Sequence, residues 1–558
     1  MLDSGRAKPS SQHAEKRVVS ILLFIAAIYF LVFAFPNSTG ASDASMISIF
    51  EPDEFAQYTY LTSMLAFDAG DLKHILYDFV AYGHYYYGYP FYLGSAITLL
   101  PMRLMADLNN KNTQAPLMLL RQCISVLPML AAILVMTYSQ TKFRSLLPSL
   151  VTLLLLLAIP AVIENNMWWH PDSLATLFVV LTIFFLDRDD LKFGRNFLFA
   201  AVACGLATAT KVLGLFFVLA IPVYLVLGIE RAGLTWAQAA LKAAQFVALM
   251  VAIIVAANPF MLIPSQLRDM LGILSGQAAA MSVGWVLHYA KGPESWMPII
   301  TRLYAGSLFL GLSVALVVVT ALRRGPGQVL HLMILCWLAP LSVYILFSVA
   351  IKPTHFFLPI IIPLASCIPA ALQTWRMPVR SALPSAESGR QRMSAPWLLI
   401  AAGASVVQIG WSLPVDAALY RDVLGRETSE PRVAHYAELN RRLLKAIPDE
   451  QPLLIYRDVR MYFPQARNRR VRTFFNTTTY ENIERMEPDI IVLWPQRIAD
   501  YTTESAEQNA IAPDTFREVQ RFFADARAGD LEGYHLLLQD AAGVSFLKDE
   551  VYESYFGN

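Results

Sequence analysis

Charged residues are scarce in this sequence. They make up 16% of its 558 residues, while hydrophobic residues make up 56%, and the mean hydropathy is +0.45. A water-soluble chain could not bury that much apolar surface, so the scarcity of charge excludes an ordinary soluble protein. The composition predicts a polytopic α-helical membrane protein.

The sequence also lacks a charge excess and a cysteine framework. Its 44 lysines and arginines face 43 aspartates and glutamates, so no basic surplus is present to bind nucleic acid by counterion release. Its four cysteines, Cys123, Cys204, Cys336 and Cys367, lie inside apolar segments without the spacing of metal ligands. We therefore expect neither a nucleic-acid partner nor disulfide bonds.

The first long apolar run spans residues 18–35 and follows a polar segment that carries four cations. The run is long enough to cross a bilayer, and the cations place the N-terminus on the cytoplasmic side. A cleaved signal peptide is the alternative, although residues 37–41 form only a weak cleavage site. We predict an uncleaved first helix.

Further apolar runs follow, and the charge of the loops between them predicts the topology. Basic loops place residues 142–144, 188–195, 323–324 and 376–392 in the cytoplasm. The run at 91–105 is short, contains Pro101 and Arg103, and would be one crossing too many. We predict that it lies along or re-enters the membrane, which leaves about eleven spans and an extracytoplasmic C-terminus. The remaining runs are 117–138, 146–162, 173–186, 197–210, 212–229, 243–263, 299–322, 329–351, 356–372 and 397–411.

The composition changes near residue 414, where a polar C-terminal part begins. Residues 452–456 and 489–494 are typical of buried strands, and residues 433–446 and 516–526 have helical spacing. This alternation predicts a compact soluble α/β domain. The predicted parts are a cytoplasmic segment at 1–17, a transmembrane domain at 18–413 and an extracytoplasmic domain at 414–558. The transmembrane domain has outer loops at 36–90 and 264–297 and a cytoplasmic linker at 381–394.

Three carboxylates occur within four residues of the first outer loop. Glu51, Asp53 and Glu54 flank Pro52, soon after the first apolar run. Ionised groups beside a bilayer are costly unless they serve a function, so this cluster is a candidate catalytic site. Pro52 also favours a helix start, where the dipole stabilises carboxylates. A capping cluster at the head of a surface helix is therefore an alternative of equal weight.

An aromatic segment closes the same loop at residues 84–92, with the sequence His-Tyr-Tyr-Tyr-Gly-Tyr-Pro-Phe-Tyr. Aromatic faces and hydroxyls of this kind stack on sugars and form hydrogen bonds with them. We predict that His84 and Tyr86 contribute to substrate binding. An interfacial belt of tyrosines is the alternative for any single one of them.

Polar residues at the outer ends of later spans are predicted to converge with this loop. They are His170 and Asp172 after two tryptophans, Lys211 within a long apolar stretch, and Lys352 and His355 before another span. Several cations facing a few acids suit a phosphate-bearing substrate. The alternatives are a helix N-cap for Asp172, a snorkelling lysine, and an incomplete metal site at His170 and Asp172.

Taken in order, these motifs resemble the GT-C superfamily of membrane glycosyltransferases. The resemblance is to the bacterial branch of glycosyltransferase family 39, which is related to protein O-mannosyltransferases and lipid A aminoarabinose transferases. It covers nearly the whole membrane part. The residues that carry it are Pro52-Asp53-Glu54, the Tyr-Pro end of the first outer loop, Pro171-Asp172, Gly205 to Lys211, Asn258-Pro259-Phe260, and Lys352-Pro353-Thr354-His355.

The resemblance implies an enzyme of a bacterial inner membrane that moves a sugar from a polyprenyl-phosphate carrier to an acceptor hydroxyl of the cell envelope, usually with inversion. It implies that Asp53 is the general base and that Glu54 orients acceptor or sugar. Lys211, with help from Lys352 and His355, would offset the charge of the leaving phosphate, and Asp172 matches a family acid near the pocket.

The resemblance leaves the acceptor open. His84-Tyr85-Tyr86 stands where the aminoarabinose branch has a Glu-Lys-Pro stretch, and residues 77–90 do not match the O-mannosyltransferases closely. A divalent cation also stays open as a cofactor, since no ligand set is complete. A transporter or flippase is the first rival function, but transporters usually show repeated halves and the sequence shows none. A non-catalytic membrane scaffold is the second rival, and it predicts that Asp53→Asn leaves function intact.

Overall fold

The predicted helical architecture is present. A computed structural model describes residues 9–67, 71–105, 108, 112–325, 327–374, 395–448 and 450–557. The predicted linker at 381–394 and the first eight residues of the predicted cytoplasmic segment lie outside the described residues.

The membrane part consists of helices joined by short connections. They are α1 (Pro9–Asn37), α2 (Ala44–Phe50), α3 (Pro52–Met64), α4 (Leu72–Val80), α5 (Tyr89–Met105), α6 (Gln114–Leu120), α7 (Leu127–Thr141), α8 (Leu146–Leu157), α9 (Pro160–Asn165), α10 (Asp172–Asp189), α11 (Arg195–Lys211), α12 (Ala220–Ala232), α13 (Trp236–Ala257), α14 (Pro264–Val283), α15 (Pro293–Leu303), α16 (Ser307–Leu322), α17 (Gln328–Ser348), α18 (Leu358–Thr374) and α19 (Ala395–Gly425). A π-helical segment (Arg121–Val126) joins α6 to α7, and 3₁₀-helices occupy Leu213–Val218 and Pro259–Leu262.

Several of these helices are long and apolar enough to cross a bilayer. Among the described residues, five continuous helices meet this criterion: Glu15–Asn37, Gln114–Thr141, Leu213–Ala232, Trp236–Ala257 and Gln328–Ser348. The bent pair of α15 and α16 makes a sixth candidate, and Leu146–Leu157 and Leu358–Pro369 are shorter apolar helices. The protein is therefore polytopic. The number of about eleven crossings and the re-entrant path of 91–105 stay predictions.

One predicted span differs from the observed helices. The run at 299–322 was expected to be continuous, but α15 and α16 meet at an angle of 100°. The break falls at Tyr304-Ala305-Gly306, and glycine before a helix is a common site for such a change of direction. The segments α15 and α16 therefore do not form one straight helix.

The C-terminal part is an α/β domain, as predicted. Its elements are α20 (Pro431–Ala446), β1 (Leu453–Asp458), β2 (Arg469–Phe474), α21 (Tyr480–Met486), β3 (Ile490–Leu493), α22 (Pro495–Tyr501), α23 (Glu504–Gln508), α24 (Pro513–Ala528), β4 (Tyr534–Gln539), β5 (Val544–Lys548) and α25 (Asp549–Tyr555). The sheet order is β2-β1-β3-β5-β4, with β2, β1 and β3 parallel and β5 and β4 antiparallel. Separate apolar clusters cover the two faces of the sheet.

Two apolar clusters organise the membrane part. The larger one surrounds buried side chains of α1, α7, α8, α10, α11, α17 and α18. The smaller one lies around the first outer loop, where Tyr82, Tyr85, Tyr89 and Tyr92 pack with Phe260. The aromatic segment at 84–92 is therefore largely an interior feature of the loop, and not an exposed belt.

The predicted topology can be tested by cysteine labelling. We expect Arg470→Cys, on the exposed side of β2, to react with a membrane-impermeant maleimide in spheroplasts, because the C-terminal domain is predicted to be outside. Lys192→Cys, on an exposed and predicted cytoplasmic loop, should react only after permeabilisation. Labelling of both or neither in intact spheroplasts would contradict the assignment. Three of the four native cysteines are buried, so Cys123→Ser supplies a suitable background.

Candidate active site

Asp53 is an exposed carboxylate at the start of a helix. It lies in the first turn of α3, where Pro52 occupies the first helical position. The fixed φ of proline suits that position, and its missing N–H is not needed there. Asp53 has no hydrogen-bond partner among the described residues, so its oxygens are free to meet a ligand.

Glu54, the next residue, is fully buried in an ion pair with Arg121. The Arg121 Nε lies 2.9 Å from Glu54 Oε1, and Nη2 lies 2.5 Å from Oε2. The backbone N–H of Trp169 also donates to Oε1. A role for Glu54 in touching acceptor or sugar was expected, but both of its oxygens are occupied and its side chain has no exposed surface. We assign Glu54 a positioning role instead.

Arg121 connects this ion pair to the end of the first span. Its Nη1 donates to the carbonyl oxygens of Asn37, at 3.0 Å, and Thr39, at 2.8 Å. Arg121 also begins the π-helical segment, a distortion that is frequent at functional sites. Sequence reasoning missed this residue, although a single charge within the apolar run at 117–138 is the signal that identifies it.

Asp172 is the centre of a second buried cluster. Lys211 Nζ lies 2.6 Å from Asp172 Oδ1, and His355 Nε2 lies 3.6 Å from Oδ2. His170 Nδ1 is in direct contact with the same Oδ2. Asp172 and His170 are almost completely buried, while 17% of the Lys211 side chain remains exposed. The structure thus brings four predicted site residues together, with three of them around the carboxylate of the fourth, Asp172.

The ends of two packed helices create this convergence. Asp172 begins α10 and Lys211 ends α11. The following residue, Val212, has a φ of 54°, which is unfavourable for a β-branched side chain and stops the helix at once. His355 reaches the cluster from the short segment before α18.

The aromatic segment of the first outer loop closes one side of the cluster. The hydroxyl of Tyr87 lies 2.7 Å from His170 Nε2, and the Trp168 ring stacks on the His170 ring at 4.1 Å. Gly88 allows this approach, since its N–H donates to the Thr210 carbonyl and an added Cβ would collide with the Ala209 carbonyl oxygen. Sequence reasoning predicted the aromatic segment but did not single out Tyr87.

Asp53 lies close enough to this cluster to interact with it electrostatically. Its charge lies within electrostatic range of Tyr87, His170 and Lys211. The exposed acid of the first outer loop and the partly exposed lysine of α11 therefore interact electrostatically, although 158 positions separate them in the sequence, from 53 to 211. A carboxylate without a hydrogen-bond partner near a cation can accept a proton while the cation binds an anion.

His84 and Tyr86 lie at the outer edge of the site. The Tyr92 hydroxyl is 2.6 Å from His84 Nδ1, and the Tyr86 ring, which is exposed, lies 5.1 Å from the His84 ring. Burial lowers the pKa of His84 to about 4. His84 is therefore neutral at pH 7 and acts there as a hydrogen-bonding aromatic group.

Lys352 lies apart from the cluster, contrary to expectation. Its Nζ donates to the carbonyl oxygens of Ala290, at 2.6 Å, and Ala350, at 2.8 Å, and lies 5.9 Å from the centre of the Trp296 ring. These contacts join the second outer loop to the segment before α18. Lys352 therefore stabilises the structure of this loop. The lysine that pairs with Asp172 is Lys211.

Two imidazoles and a carboxylate also form a set that could hold a metal ion. The ligand atoms of His170, Asp172 and His355 lie within 4.8 Å of one another. Such a set fits zinc-type coordination. However, Lys211 donates to the carboxylate of Asp172, so its ammonium group already supplies a positive charge beside this set of ligand atoms.

Comparison with known proteins gives a result for the fold. No family model and no curated protein matches the sequence. Among solved structures, ArnT from Cupriavidus metallidurans bound to undecaprenyl phosphate is 13% identical, with a TM-score of 0.53, over 95% of this chain and 97% of that chain. The apo structure of the same ArnT gives 13% and 0.52, over 95% and 98%. The chain has a GT-C fold.

The GT-C fold extends over both parts of the chain, because the match to ArnT includes nearly the full length of each protein. At 13% identity the likeness establishes the architecture alone. What the site does chemically must be argued from its own residues.

The ion pair of Glu54 and Arg121 should be essential for stability. Glu54→Gln would leave the Arg121 guanidinium buried without its counter-charge, which typically lowers the free energy of unfolding by about 3–5 kcal/mol. We expect a clearly lower Tm in detergent. Asp53→Asn, which removes an exposed neighbour, is the matched control and should change stability by less than about 0.5 kcal/mol. Equal melting of Glu54→Gln and the unmodified protein would contradict this role.

Proposed function

We propose that this protein is a glycosyltransferase that transfers a sugar from a polyprenyl-phosphate-linked donor to an acceptor hydroxyl on the outer face of a bacterial plasma membrane, with inversion. The observation that carries the proposal is the position of Asp53. It is an exposed carboxylate without a hydrogen-bond partner among the described residues, and it lies within electrostatic range of the partly exposed Lys211.

In the proposed reaction, Asp53 takes the proton of the acceptor hydroxyl as its oxygen attacks the anomeric carbon. The bond between that carbon and the phosphate oxygen breaks, and the polyprenyl phosphate leaves with the bonding electrons. A general base must lie within hydrogen-bond reach of the proton that it removes. Asp53, in the exposed first turn of α3, is open to an approaching hydroxyl, whereas Glu54 is enclosed.

Lys211 is assigned to the leaving phosphate. An ammonium group has three donors, and Asp172 uses one of them at 2.6 Å. Part of the Lys211 side chain is exposed, so the remaining donors can reach phosphate oxygens. A fixed cation at the leaving group stabilises charge that develops in the transition state. Asp172 orients the lysine, and His170 and His355 support Asp172.

A bound cation would use His170, Asp172 and His355, and it would supply the positive charge that Lys211 provides in this proposal. The ligand set fits, but the ammonium group beside Asp172 would repel a second cation. We therefore assign the neutralisation of the phosphate charge to Lys211 and not to a metal ion.

The proposed role of Asp53 as general base is tested by measuring turnover. Asp53→Asn should lower kcat at least about a hundredfold while donor affinity stays nearly constant, because a general base acts only in the transition state. The measurement is consumption of a panel of polyprenyl-phosphate sugars by detergent-purified protein, where transport cannot occur. Asp78→Asn, an exposed acid on α4 of the same loop, is the control and should turn over normally. Near-normal kcat in Asp53→Asn would remove Asp53 from the mechanism.

The proposed role of Lys211 is tested by measuring the affinity for undecaprenyl phosphate. Lys211→Ala should weaken binding of undecaprenyl phosphate about 10- to 150-fold, the cost of losing one charged hydrogen bond. Lys352→Ala should leave that affinity unchanged, since its ammonium bonds to backbone carbonyls elsewhere. Equal effects of the two substitutions would contradict the assignment. Treatment with EDTA should leave binding and turnover unchanged, and loss of both with recovery in zinc would transfer the role of Lys211 to a metal ion.

A further inference from the structure

The C-terminal α/β domain contacts the part of the chain that carries Asp53. The contact is made by the carboxyl ends of its parallel strands, the edge at which open α/β sheets usually bind ligands. Arg457 ends β1 with Asp458, and Arg460 lies in the turn that follows. The Phe475 ring, just after β2, lies 6.4 Å from the Phe55 ring of α3. The edge that would otherwise face a ligand is occupied by α2 and α3 of the same chain.

Arginines of this domain donate to the end of α2. Arg460 Nη1 donates to the carbonyl oxygens of Ile49, at 3.1 Å, and Phe50, at 3.0 Å. Arg432 Nη1 donates to the Ile49 carbonyl at 3.2 Å. The last carbonyl groups of a helix have no partner within the helix and carry partial negative charge, so cationic donors stabilise them. Both arginines therefore hold the residues that directly precede Glu51, Pro52 and Asp53.

Further contacts join the C-terminal domain to the other residues of α2. Arg457 Nη1 donates to the Ser48 hydroxyl at 2.9 Å, and the Phe463 N–H donates to the Ser45 hydroxyl at 2.7 Å. The Tyr462 hydroxyl donates to Asp43, which caps α2, at 2.8 Å. The Phe50 ring lies between two guanidinium groups, those of Arg426 at 4.9 Å and Arg432 at 5.7 Å. Contacts with the domain thus reach from the cap of α2 to its last residue.

We propose that the C-terminal domain is a positioning unit for the active site, in which Arg460 and Arg432 fix the corner between α2 and α3 and thereby the direction of the Asp53 carboxylate. This inference rests on the proposed function. The bonds of Arg121 to Glu54 hold α3 against the π-helical segment, and the two arginines of the domain hold the end of α2 that precedes it. Asp53 stands three residues beyond Phe50, so a shift of this corner moves its carboxylate directly.

The test measures the stability of the corner between α2 and α3 separately from catalysis. Arg460→Ala should increase amide hydrogen exchange across residues 44–58, a readout that does not depend on any sugar. It should also lower kcat at least about tenfold with an unchanged donor KM, since misplacing a catalytic group by about 1 Å can cost a hundredfold. Arg460→Lys should restore most of both, because a single nitrogen makes both bonds and an ammonium group can replace it. Arg470→Ala, an exposed arginine of the neighbouring strand, is the matched control.

Each outcome has a defined meaning. Normal exchange and normal kcat in Arg460→Ala would overturn the positioning role, and the proposed function would stand if Asp53→Asn were still inactive. Faster exchange with normal kcat would also overturn it, since the corner would then move without affecting catalysis. Loss of kcat that Arg460→Lys does not restore, without faster exchange, would likewise count against it. If Asp53→Asn were fully active, the proposed function itself would fail, whatever Arg460→Ala did.

Discussion

The buried ion pair between Glu54 and Arg121 is the interaction on which the rest of the site depends. It joins α3 to the π-helical segment, to the carbonyls that end the first span, and to the backbone of Trp169. Trp169 is followed by His170, so the same pair connects the first outer loop to the Asp172 cluster. Charges buried without partners are strongly unfavourable, so an arrangement that separates Glu54 from Arg121 would be destabilised.

Two adjacent acids have opposite environments as a result. Glu54 points inward and is neutralised by Arg121, whereas Asp53 points outward and has no hydrogen-bond partner among the described residues. Neighbouring carboxylates with different surroundings commonly divide structural and chemical roles. In this protein the inward acid determines where α3 lies, and we propose that the outward acid does the chemistry. We propose that the charge that binds the phosphate is that of Lys211, which is paired with Asp172 at the end of α11.

Much of the fold was predictable, and the reason is physical. Apolar runs predicted the long helices of the membrane part, whereas α2, α4 and α14 lie in segments that were predicted as outer loops. The strands β1 and β3 were found because each contains a short continuous run of apolar residues. The edge strand β2 was missed because its sequence, Arg-Arg-Val-Arg-Thr-Phe, has the charge of a solvated segment. The convergence of His170, Asp172, Lys211 and His355 was expected from their place at the outer ends of helices. Two features were not expected: the separation of Lys352 from the Asp172 cluster and the pairing of Glu54 with Arg121. Both depend on contacts between segments far apart in the sequence.

The central claim is that Asp53 and Lys211 lie on opposite sides of one donor-binding site. A cryo-EM structure of the purified protein with undecaprenyl phosphate tests it most directly. The account predicts phosphate oxygens within hydrogen-bond distance of the Lys211 ammonium, with the Asp53 carboxylate facing the side from which an acceptor would attack. A phosphate bound away from Lys211, or an Asp53 carboxylate directed away from the bound lipid, would contradict it.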